Sequence, residues 1–213
     1  MIRVAVVVMA VLAGLAPARS QTVAPAVNWF DPVMLDEPRW SVMAFGGVDT
    51  GNATLLTLLG TPWEVDGDDV GARFVGVAAS RRLVRLFDHW TVEAELGAGR
   101  RFGMRYGHAA AEGWGAVFLR FDGFPWNHLI RTTVAVSTGL HYASRLPDSE
   151  AGATDRGAAR WLHYLSPEIT FALPDRDTHE LVLRVHHRSS GYGLMWDVST
   201  GSNVVTVGYR HRF

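Results

Sequence analysis

The chain has 213 residues with 20 basic and 21 acidic side chains, a net charge of −1, and no cysteine. Near-neutrality removes the electrostatic case for a nucleic-acid partner. The missing thiols exclude a disulfide framework and a lipid-anchored N-terminal cysteine.

Residues 1–20 open with Arg3, continue through an apolar run from Val4 to about Ala16, and end in Ala18-Arg19-Ser20. The run is shorter than the roughly 18–20 residues that span a bilayer, so it reads as a secretory signal peptide with Gln21 as the mature start. Residues 21–213 then suit one domain. Past the leader no stretch is long and apolar enough for a transmembrane helix.

Alternation of apolar and polar residues marks eight strands in order. They are Trp40 to Val48, Ala72 to Leu83, Trp90 to Arg101, Gly113 to Phe121, Leu129 to Tyr142, Trp161 to Ala172, Leu181 to Ser190, and a last strand ending at Phe213. Phe87-Asp88, Asp122-Gly123-Phe124-Pro125 and Pro174-Asp175-Arg176-Asp177 read as short turns. The other connections are long, and this alternation matches a barrel with both termini on the periplasmic side.

The charges fall mainly on one face of the strands: Glu93, Glu95, Arg101, Arg131, Arg184, Arg188, Arg210 and Arg212, with Glu168 joining them if Ile169 and Phe171 face outward. The opposite face is apolar. A water-soluble ligand-binding barrel has the reverse polarity. Eight strands enclose only enough room for side chains, so these charges pair inside instead of lining a pore. The predicted fold is an all-β, eight-stranded antiparallel transmembrane β-barrel of the bacterial outer membrane. Trp40, Trp90, Trp114, Trp126 and Trp161 fall near the predicted strand ends, where they read as interfacial girdles. The aromatic last residue, Phe213, is similar to the terminal signal of such barrels.

On strand seven, Leu181, Leu183, Val185, His187 and Ser189 share the outward face, while Arg184, His186, Arg188 and Ser190 face inward. A base and a hydroxyl two residues apart, at the outer end of a lipid-facing strand, lie level with outer-leaflet ester linkages. An imidazole can accept the hydroxyl's proton and make it a nucleophile. His186 reads as a hydrogen-bonded interior residue. His108 and His141, near loop ends, form no cluster in sequence that would bind a metal.

At these residues the chain resembles the PagL-type outer-membrane lipid A 3-O-deacylases and their acyloxyacyl-hydrolase-like relatives. The resemblance covers the leader, the eight-strand plan and above all strands seven and eight. The family's H-x-S-N reads here His187-Arg188-Ser189-Ser190. It implies His187 as base, Ser189 as nucleophile, and an ester-linked acyl chain of lipid A or lipopolysaccharide as substrate, with outer-membrane lipid as surroundings and no cofactor or metal. The family's acid, at the start of strand eight, is replaced by Asn203. An amide can orient an imidazole but cannot neutralise an imidazolium. Asp197 in the loop is a substitute acid to consider. Ser190 stands where the family has an oxyanion-site Asn, and backbone N–H groups near Gly191 and Gly193 offer another oxyanion site. Arg100, Arg105, Arg156 and Arg160 near the outer rim could meet lipid A phosphates. The alternatives are a non-enzymatic small barrel whose loops form the working surface, and an acyltransferase on the same scaffold.

Overall fold

A computed structural model describes residues 31–32, 39–51, 71–104, 106, 108–151, 160–191 and 200–213. The leader, Arg105, Arg156, Gly193 and Asp197 lie outside the described residues. The strands are β1 (Trp40–Asp49), β2 (Arg73–Leu86), β3 (Trp90–Phe102), β4 (Ala109–Phe121), β5 (Arg131–Ala143), β6 (Trp161–Leu165 continuing as Pro167–Ala172), β7 (His179–Ser189) and β8 (Gly201–Arg212). Each pairs antiparallel with the next, and β8 returns to β1 through the register Val204↔Asp49 to Arg212↔Ser41. Reciprocal backbone bonds between Trp40 and Phe213, at 3.0 and 2.9 Å, close the seam at its end. The ring has eight strands, as the alternation predicts. A two-residue segment, Asp31–Pro32, adds to β2.

Every β6 residue from Trp161 to Ala172 keeps one register, although the strand is broken at Ser166. Proline has no N–H to give to the ladder. Here the Ser166 hydroxyl bonds Val185 O at 2.8 Å, next to Pro167, and the Ser137 hydroxyl accepts Ser166 N–H at 2.8 Å. The face alternation therefore survives the proline, and Ile169 and Phe171 point outward while Glu168 points in.

The chain contains no lysine, so every interior cation is a guanidinium. Six buried arginines meet seven buried carboxylates among the described residues, so the interior is close to neutral. Glu168 accepts from Arg120, Arg184 and Arg210 at 2.5–2.8 Å. Glu93 takes Arg120 and Arg212, Glu95 takes Arg184, and Glu180 takes Arg210 and Arg212. A planar fork can serve two carboxylates at once, which an ammonium cannot do with the same directionality.

Above this layer Phe45, Phe74, Trp114, Tyr164 and His186 fill the bore with rings 4.8–6.3 Å apart. Trp114 corrects the girdle assignment. It is 4 % exposed and donates its indole N–H to Glu95 at 2.9 Å. Strand β4 begins four residues earlier than the alternation suggests, so Trp114 lies inside the bore, not at its rim. Gly97 makes the space: a Cβ there would sit 2.0 Å from the Trp114 ring. Trp40, Trp126 and Trp161 are exposed near strand ends, as an interfacial girdle requires. Outward-facing Val42, Val75, Val77, Leu96, Val117, Leu140, Leu181, Leu183, Val205 and Val207 form the apolar band. Leu129 and Ile130, assigned by alternation to the fifth strand, instead close a turn by bonding Trp126 O. Asn127 stabilises that turn by accepting Thr132 N–H at 2.9 Å.

Glu168→Gln leaves three guanidiniums with one charge fewer among them. The expected loss is about 3–5 kcal/mol, read as a lower urea midpoint of the barrel in detergent or lipid. Removing the exposed Arg131–Asp177 pair by Asp177→Asn changes the midpoint by less than about 1 kcal/mol.

Candidate active site

Strands β6, β7 and β8 build the site on the outer surface, at the end carrying the long connections. Their register sets it: His187 pairs with Asn203 and Ser189 with Gly201 on one side, and Ser189 pairs with His163 on the other. Directly opposed residues point to the same face, so all of these look outward.

His187 Nδ1 lies 2.6 Å from Asn203 Oδ1. An amide oxygen only accepts, so Nδ1 carries the ring proton and Nε2 keeps the lone pair. That is the tautomer a general base needs. Asn203 is 4 % exposed and His187 half-buried, so the contact is shielded by the barrel wall.

Ser189 is half-buried on the same face, about 7 Å along the strand from His187 at the backbone. Its hydroxyl accepts Gly191 N–H at 3.3 Å. It does not hydrogen-bond His187 in this conformation; approach of the two needs rotation of the serine side chain. Gly201 opposite Ser189 leaves its flank open: a Cβ there would meet Arg188 O at 2.7 Å and Ser189 Cβ at 3.2 Å.

The oxyanion candidates fare differently. Ser190 is 7 % exposed, faces the interior, and spends its N–H on Thr200 O at 3.1 Å. Gly191 has φ +62°, a left-handed turn that suits glycine, and its N–H points at the Ser189 hydroxyl. Gly193 and Asp197 are outside the described residues. Arg100 is exposed on β3 near the long-loop rim, and Arg160 is exposed just before β6.

One outward group escaped the sequence reading. His163 shares the outward face with Trp161 and Leu165, and its Nε2 lies 2.9 Å from Thr138 Oγ1. Parity counted back from Ile169 and Phe171 would have shown its face. Its position opposite Ser189 needs the β6–β7 register, which no local pattern encodes.

A second polar centre lies inside the bore. Glu112, His141 and His186 place three metal-ligating atoms within 4.8 Å. Local protein donors, however, already use those lone pairs. Arg101 donates to both Glu112 oxygens, at 2.6 and 3.4 Å. Arg188 lies 3.2 Å from His141 Nδ1, which fixes the proton on Nε2. That proton faces Glu112 and His186, each at 3.1 Å, and Tyr164 bonds the far nitrogen of His186 at 3.0 Å. A cation there would have to displace a proton from His141 beside two guanidiniums. The group is a hydrogen-bonded layer of the core.

Over it, a short helix α1 (Asp148–Ala151) seats Glu150 against Arg188 at 3.0 Å. Glu150 is fully buried, and loss of hydration pushes its carboxyl up to about 7 despite Arg188.

No family model and no curated protein sequence matches the chain. The solved structures do. The crystal structure of the outer membrane enzyme PagL superposes with a TM-score of 0.56 at 13% identity, over 81% of this chain and 99% of that one. Ail of Yersinia pestis, solved in a phospholipid bilayer nanodisc, gives a TM-score of 0.38 at 11% identity over 81% of this chain and 99% of that one. Its complex with the heparin analogue sucrose octasulfate gives 0.37 at 10%, over 83% and 98%. The fold is that of the bacterial outer-membrane β-barrels. At these identities the likeness extends to the barrel and its strand order.

Because the folded Glu150 carboxyl titrates about 7 against an ordinary value of 4.5, the folded state holds the extra proton between those values. Stability therefore falls as pH rises from about 4.5 through 7. Protection of residues 148–151 against hydrogen exchange, taken relative to the intrinsic rate at each pH, should be greater at pH 5 than at pH 8, and Glu150→Gln should flatten that difference.

Proposed function

We propose that this protein is an outer-membrane esterase that removes an ester-linked acyl chain from lipid A. The observation that carries this is the His187–Asn203 contact of 2.6 Å, outward-facing and one pleat from Ser189. A half-buried histidine on a lipid-facing surface costs solvation unless it is partnered. Here the partner selects the tautomer with a free Nε2 on the side away from Asn203. The apolar wall of Leu181, Leu183, Val205 and Val207 beneath the site suits acyl chains.

The reaction begins with Ser189 exchanging the Gly191 hydrogen bond for His187 Nε2. Its oxygen attacks the ester carbonyl as Nε2 takes the proton. The tetrahedral intermediate collapses, and His187 returns the proton to the departing alcohol oxygen. Water, deprotonated by the same nitrogen, then releases the fatty acid and restores Ser189. Asn203 orients the ring through both steps. No residue calls for a cofactor. The long-loop end supplies Arg100 and Arg160 for the anionic headgroup.

Mass spectrometry of lipid A from cells overproducing the protein should show loss of one acyl chain. The change should vanish in Ser189→Ala and His187→Ala, and Asn203→Ala should slow it roughly 100-fold by releasing the ring from its orientation. Unchanged lipid A in cells with correctly assembled protein overturns the proposal and leaves a non-enzymatic barrel.

A further inference from the structure

Acyl transfer needs a donor aimed at the oxygen that becomes negative, as well as a nucleophile and a base. The donors suggested by sequence fill that place only in part among the described residues. Ser190 faces the bore and its N–H is bound to Thr200 O; Gly191 N–H is bound to the nucleophile at rest and, once Ser189 turns to His187, offers a single donor.

His163 meets the requirement. It stands opposite Ser189 across the β6–β7 pair, where side chains on the same face have Cβ atoms about 4.5–5.5 Å apart. It approaches Ser189 from the β6 side, whereas Asn203 and Gly201 approach from β8. Thr138 sits beyond it on β5, its hydroxyl 2.9 Å from His163 Nε2. A threonine hydroxyl can donate to that nitrogen, and a neutral imidazole that accepts at Nε2 carries its proton on Nδ1. With Thr138 as the donor, the N–H lies on the nitrogen nearer the strand. Thr138 and His163 are outward polar residues between Leu140 and Leu165, so their mutual bond also satisfies groups that would otherwise meet hydrocarbon.

We infer that His163, held by Thr138, donates a hydrogen bond to the oxyanion formed when Ser189 attacks an ester carbonyl. This rests on the esterase reading above. As the Ser189 oxygen–carbon bond forms, the carbonyl π pair moves onto the oxygen and His187 takes the serine proton. His163 Nδ1–H bonds that oxygen without transferring its proton. When the carbonyl reforms, the alcohol oxygen leaves with the proton held by His187. The two histidines therefore have separate duties, one moving a proton and the other holding one still. His163 is a catalytic residue in this scheme and Thr138 a positioning residue.

The full-length protein, purified and assembled in micelles containing lipid A, supplies the test. His163→Ala should lower kcat about 10²–10³-fold with KM nearly unchanged, since the bond exists only in the transition state. His163→Gln, which retains an N–H donor, should recover part of that loss. His163→Phe, which keeps the ring's packing but donates nothing, should not. Heat-modifiable gel migration of each variant confirms the barrel is intact. The pH profile should keep its shape in His163→Gln, because the base is His187. Thr138→Val should lower kcat less than His163→Ala. If wild type cleaves lipid A and labels at Ser189 with a fluorophosphonate, while His163→Ala and His163→Phe do so equally well, this inference fails and the esterase stands. If wild type does neither, both fall.

Discussion

Everything in this molecule depends on where its guanidiniums go. A barrel in lipid can keep a charge only at its rims or inside its bore, and an eight-stranded bore admits no water column to screen it. Glu168, serving Arg120, Arg184 and Arg210 together, is the junction of the solution adopted here. Four strands, β4, β6, β7 and β8, meet at one carboxylate. Desolvating such a cluster is expensive, and its return comes from geometry: each fork spans two acceptors, and few lone pairs are left over. A register slip of one residue on any of these strands would turn a charged side chain to lipid and an outward-facing neighbour into the cluster. The ion network therefore acts less as a source of net stability than as a lock on register.

That lock is what makes an outer-surface site possible. On β7 the interior residues Arg184, His186 and Arg188 alternate with Val185, His187 and Ser189. Arg184 is tied to Glu95 and Glu168, His186 to His141 and Tyr164, and Arg188 to Glu150 and His141. Each interior anchor fixes the backbone on both sides of an outward residue. His187 and Ser189 consequently project from a strand held at three successive inward positions. The pairings to Asn203 and His163 inherit the same precision, because β6 and β8 enter the cluster through Glu168 and Arg210.

The closed barrel and its polarity were legible in the sequence because period-two alternation reports which face is wet and which is not, and the charges of β7 and β8, with all those of β3 but Arg100 at its rim end, fell on one parity. The contact of His187 with Asn203 followed from the same parity, once the strands were taken as neighbours. What stayed hidden required distances between strands. Trp114 looked like a girdle residue because glycine-flanked β4 has a weak start, and only its partner Gly97 reveals the interior space it fills. The Glu112–His141–His186 layer joins three strands and has no signature along any one of them. His163 had a readable face, but its place opposite Ser189 depends on a register that passes unbroken through Pro167, a residue that ordinarily argues against an internal strand.

The replacement of a carboxylate by Asn203 acquires a physical logic from this geometry. The interior carboxylates, such as Asp49, Glu112 and Glu150, lie on the other side of the barrel wall from His187. An acid at position 203 would have to be ionised on a lipid-facing, 4 % exposed surface, with no guanidinium on that face among the residues that pair with it. An amide costs far less there and still selects the tautomer. It does not neutralise the imidazolium that forms when His187 takes a proton, so more of the developing charge must be met at the other pole, the oxyanion. A site that economises on its acid depends correspondingly on its oxyanion donor, and the outward imidazole standing across from Ser189 is placed to bear that demand.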